Sequence, residues 1–161
     1  MGRAMILNAK RWMIFSALLW LLVGGLLFFK GLKFVEQITH KGLQEGFFKS
    51  FFFSYGMTQE KEALAILSAA LLIGFVKGRF MLSKSVKRMK NHLLSCAAQI
   101  SFKEAYPKGY YFLLGGMFLL GLLMKFMPLP IEWRAFIDVA VGSALIQGAI
   151  LYVKEALLIK K

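Results

Sequence analysis

Apolar residues in this chain run in long blocks rather than alternating with polar ones. The first block, Trp12 to Phe29, contains no charge, and the second, Ala63 to Leu82, is interrupted by Lys77 and Arg79. The third, Tyr110 to Met124, extends through Lys125 to Met127, and the fourth, Phe136 to Val153, is broken by Asp138 and Gln147. Each is near the roughly 20 residues that a helix needs to cross a bilayer. Continuous Leu, Phe, Met and Ala lack the period-two pattern of a membrane β-barrel. The pattern therefore predicts an all-α integral membrane protein forming a single membrane domain over residues 1–161. Its four transmembrane helices fall at residues 12–32, 62–82, 109–127 and 134–153, arranged as two hairpins.

The connections refine that picture. Met127-Pro128-Leu129-Pro130-Ile131-Glu132-Trp133 is a short, proline-punctuated turn that makes the last two spans an antiparallel hairpin. Residues 33–61 form the longer first connection, with six aromatics between Gly46 and Gly56. It is too short to span and too aromatic for a free loop, so an external interfacial segment is expected, with a re-entrant element as the alternative. In the linker, residues 83–108, an apolar stripe starts at Leu82 and continues through Val86, Met89, Leu93, Ala97 and Ile100 at steps of three and four. Lys84, Lys87, Arg88 and Lys90 punctuate it. This is a basic amphipathic cytoplasmic helix, lying on the membrane or prolonging the second span, with those four cations directed at lipid headgroups.

Composition supports lipid as the solvent. Hydrophobic residues make up 58% of the 161, and aromatics 15%. A soluble domain of that size is nearer half apolar. Charge then sets orientation: 21 Lys+Arg stand against 8 Asp+Glu, a formal net charge of +13. The N-terminal flank, the linker and the C-terminal tail together hold 12 bases but only Glu104 and Glu155. The opposite side holds seven bases and six acids. Both termini are therefore expected in the cytoplasm of a bacterial-type inner membrane. Arg3, Lys10 and Arg11 precede bulky Trp12 and Trp20 without a small-x-small cleavage site, which reads as an uncleaved anchor. No base-reading motif accompanies the basic linker, so the expected partners are anionic lipids and further copies of the chain, not nucleic acid.

Two ladders of small residues stand out. Ala70, Gly74 and Gly78 lie at spacing four in the second span, and Ala140, Ala144 and Gly148 repeat the pattern 70 residues later. Small residues let helices approach closely in lipid, where no hydrophobic drive holds them together. The offset, with Lys10, Trp12 and Lys30 answered by Lys108, Tyr110 and Lys125, is compatible with a two-fold internal repeat about the membrane normal.

Candidate chemistry is sparse. Cys96 is the sole cysteine, and His40 and His92 are far apart, so no metal ligand set forms. There is no phosphate-cradling glycine loop and no paired carboxylate for acid–base work, so no cofactor and no enzyme activity are expected. What remains is Lys77, Arg79, Gln147 and Asp138 inside apolar spans. Charges at such depth face a bundle interior, pair, or snorkel. Asp138 has Arg134, Lys125 and Lys30 as candidate partners and should lie about 15 Å in depth from Lys77. The expected function is a small oligomeric channel or transporter whose basic inner vestibule favours anions. The alternative is a non-transporting scaffold or anionic-lipid-binding module.

Overall fold

The protein is described by a computed structural model covering residues 2–41, 43, 47–53, 56, 58–95, 115, 119, 126 and 129–159. Among these residues there is no strand. The fold is all-helical, with α1 (Gly2–Lys41), α2 (Phe47–Phe53), α3 (Gln59–Ser95) and α4 (Ile131–Leu157). Among the described residues, three helices are long and apolar enough to cross a membrane, within Ala9–Lys41, Gln59–Leu93 and Ile131–Leu157. The span expected at residues 109–127 lies outside the described residues apart from positions 115, 119 and 126.

The helix ends follow from local chemistry. Pro130, with φ −54°, precedes the first turn of α4, where a missing N–H costs nothing. Glu60 and Glu62 occupy the first turn of α3, and His40 and Lys41 the last turn of α1, each complementing the helix dipole. Thr58 C=O accepts the Glu62 N–H at 3.0 Å and opens α3. Between α2 and α3, Gly56 takes φ +60°, a conformation that favours glycine.

Helix α4 is the centre. Its most apolar stretch is 44% buried, against 28% in α1 and 24% in α3, because it packs against both. Both α1 and α3 outrun their expected spans. The linker's first part, through Ser95, continues α3 without a break, which decides between the two placements of the amphipathic stretch. Its apolar stripe is occupied within the chain: Val86, Met89 and Leu93 join Met13, Trp20, Leu145 and Tyr152 in one core. A second core, at the other end, gathers Val35, Ile38, Ile66, Ala70, Ala135 and Val139. The aromatic segment contributes α2, whose Phe48 stacks edge-on against Trp133 at 4.8 Å between centroids and lies 6.3 Å from Phe136. It caps the entrance to α4.

Pairing directions come from the contacts. Gly24 lies against Gly142 and Leu145, and Gly31 against Asp138 and Val139, so α1 and α4 are antiparallel. Gly74 meets Ala140 and Ser143, Gly78 meets Ala144, and Gly148 meets Leu82, so α3 and α4 run parallel. Ser95 and Ile131 therefore sit at opposite ends of the bundle. Helix α1 packs chiefly on α4 rather than on α3, its neighbour in sequence.

Candidate functional site

The two small-residue ladders form one seam inside the chain. Ala70 is fully buried, and a Cβ added at Gly74 would overlap the Ser143 hydroxyl and the Ala140 carbonyl. At Gly78 it would lie 2.7 Å from the Ala144 Cα, while at Gly148 it would meet only the tip of Leu82, also at 2.7 Å. Backbone cannot retreat as a leucine tip can. The tight points are therefore Gly74 and Gly78. Ser143 turns its hydroxyl inward, donating to the Ala140 carbonyl at 3.0 Å, so the seam leaves that group satisfied.

A second seam, between α1 and α4, was not singled out from the sequence. A Cβ at Gly142 would fall 2.6 Å from the Phe28 nitrogen, and one at Gly24 would fall 2.8 Å from the Leu145 Cβ. The available signal was small residues every seventh position: Ala17, Gly24 and Gly31 in α1, and Ala135, Gly142, Ala149 and Ala156 in α4. A seven-residue repeat keeps one stripe of a helix facing its neighbour. At spacing seven, small residues were less conspicuous than the spacing-four ladders.

Among the ionisable positions, the structure brings Asp138 together with Lys30, at 3.3 Å. The carboxylate is almost wholly buried and the Lys30 side chain is 58% exposed, with its ammonium also 5.6 Å from the Phe34 ring centroid. Lys77 and Arg79 are exposed and Gln147 half-buried, and neither cation makes an ion pair among the described residues. Successive residues turn by about 100°, so Lys77 and Arg79 point roughly 160° apart, flanking the α3–α4 seam on opposite sides.

Their depth follows from the Gly78–Ala144 contact. Ala144 lies midway along the run Phe136–Val153, about 12–14 Å from either end at 1.5 Å per residue. Lys77 and Arg79 share that level, near the middle of the bundle. Asp138 is only about 9 Å away along α4 rather than the expected 15 Å, yet it faces α1 and makes no pair with Lys77.

Beyond this level lies a basic end, with Lys84, Lys87 and Arg88 exposed on α3. Lys90 is half-buried and bonds Glu155 of α4 at 2.9 Å, fixing the extension of α3 to its parallel neighbour. An open groove of about 400 Å³ lies between α1 and α4 near this end, with apolar walls and Lys154 on its rim. No group of three metal-ligating side chains occurs among the described residues. Comparison with protein families, with curated proteins and with solved structures gives no match.

Proposed function

We propose that the chain is a four-span inner-membrane protein with cytoplasmic termini that assembles as an oligomer and passes anions along the exposed face of α3 bearing Lys77. The observation that carries this reading is an exposed lysine at the mid-level of α4 with no carboxylate beside it among the described residues. A charge at that level is costly in lipid and calls for water or an anion. The path lies outside the α1–α3–α4 core, whose helices meet closely at the glycine seams. A neighbouring subunit closes it, and Lys84, Lys87 and Arg88 line its cytoplasmic mouth. Parallel α3 and α4 support the fourth span, because the chain between them must travel from one end of the bundle to the other.

The test is flux of chloride, fluoride and phosphate in proteoliposomes. Lys77→Ala should slow the conducted anion by about tenfold or more, equivalent to losing on the order of 1.4 kcal/mol of attraction. Arg79→Ala, on the other side of the seam, should report whether that face contributes as well. A parent protein that conducts none of the three favours the scaffold reading, which the closed seams and exposed cytoplasmic cations also support.

A further inference from the structure

The groove between α1 and α4 has a floor of small residues and a rim of exposed apolar ones. Ala17 and Ala149, from the seven-residue repeats, are each 3% exposed and leave the depression between the helices. Leu18 and Leu21 of α1 and Ile150 and Val153 of α4 form its walls, and all four are exposed. Its apolar lining runs from Leu21 to Ile14, about 10 Å along α1, and so accounts for most of the roughly 15 Å hydrocarbon depth of one leaflet.

Charge is arranged only at its basic end. Lys154 lines the groove there. Lys10 stands four, seven and eleven residues before Ile14, Ala17 and Leu21, on the same stripe of α1, and exposed Arg11 adjoins it. Among the described residues, Glu155 is the one carboxylate at this end, and it is held by Lys90 on the far side of α4. The cations at the mouth of the groove thus face an apolar trough with no acid in it.

We propose that this groove binds an anionic phospholipid of the cytoplasmic leaflet, one acyl tail along Ala17 and Ala149 and the phosphate against Lys154 and Lys10. The occupant is fixed by two complementary demands. The trough requires a hydrocarbon chain, and the cations at its mouth require an anion attached to that chain at headgroup depth. The groove lies roughly 150° around α4 from the positions that face α3, so this site is separate from the Lys77 face and does not depend on anion flux.

The experiment uses the full chain purified in neutral detergent. Phosphatidylglycerol, phosphatidylcholine with the same tails, and tail-less glycerol phosphate are compared by native mass spectrometry and thermal unfolding. Phosphatidylglycerol should be retained and should raise the unfolding midpoint, whereas the other two should not. Lys154→Ala should weaken its retention about fivefold, the effect of one near-surface cation, and Lys154→Arg should restore it. Val153→Trp and Ile150→Trp fill the trough from its exposed rim and should abolish retention while leaving helix content unchanged. Lys87→Ala, an exposed cation on α3, should leave binding unaltered. Several results would overturn the proposal: equal retention of phosphatidylcholine, stabilisation by glycerol phosphate, indifference to Lys154→Ala, or undiminished binding to both tryptophan variants. Dissociation of an oligomer by Val153→Trp with lipid retention intact would also overturn it, because the trough would then seat a second copy.

Discussion

A glycine's importance in this bundle depends on what stands opposite its missing side chain. Gly78 faces the Ala144 backbone, Gly148 faces a leucine tip, and Gly25 has open space around it. The sequence made Gly78 and Gly148 equivalent members of two ladders, but their neighbours make them unequal. Gly78→Ala should lower the thermal unfolding midpoint in detergent clearly, because two helix backbones must separate. Gly148→Ala should cost little, since Leu82 can rotate away. Gly25→Ala should be neutral or slightly stabilising, by up to about 1 kcal/mol of helix propensity. Equal losses from Gly78→Ala and Gly25→Ala would remove the close-packed seam from the account. The Lys30–Asp138 pair teaches a related lesson. Spacing along α4 nominated Arg134 and spacing across helices nominated Lys30 or Lys125, and the antiparallel docking of α1 brings Lys30 to 3.3 Å.

At the level of elements, the amphipathic stretch after the second span is the instructive case. Its period was evident in the sequence, and its polar side carries Lys84, Lys87 and Arg88 as expected. Its apolar side belongs to the protein core rather than to a lipid surface, since Val86, Met89 and Leu93 are nearly fully buried against α1 and α4. Hydrophobic periodicity reveals that a face will be covered but not by what. Met89→Ala should therefore destabilise the fold by about 2–5 kcal/mol, as deletions from packed interiors do. Lys87→Ala, on the exposed side, should fall within about 0.5 kcal/mol of the parent. Denaturation followed by helix content in detergent measures both. A Met89→Ala protein as stable as the parent would mean that this extension does not pack in solution as it does here.

For the whole molecule, the consequential feature is direction. With α3 and α4 parallel, Ser85 and Leu129 lie towards opposite ends of the bundle. In a Cys96→Ser background, Ser85→Cys and Lys161→Cys should label from the cytoplasm alone. Gln44→Cys and Leu129→Cys should label only from outside. Labelling of Ser85→Cys and Leu129→Cys from the same side would exclude an odd number of crossings between them, and the four-span topology with it. A reversed pattern at all four positions would keep the bundle but invert the charge argument for orientation.

Much of this architecture was legible along the chain because membrane solvation acts locally. Uninterrupted apolar runs dictate helices, and proline and glycine mark their ends. The ladders at spacing four likewise announced a close helix contact, because lipid rewards small residues where helices touch. Which helices touch is a different kind of fact. Only the assembled structure makes α4 the centre, joins both ladders into a single intrachain seam, and adds the seven-residue seam through Gly24 and Gly142. It alone pairs Asp138 with Lys30 and leaves Lys77 exposed at mid-level. Each of these depends on the rotation and register of one helix against another, to which residues far apart in sequence contribute jointly and which no single segment's pattern can encode.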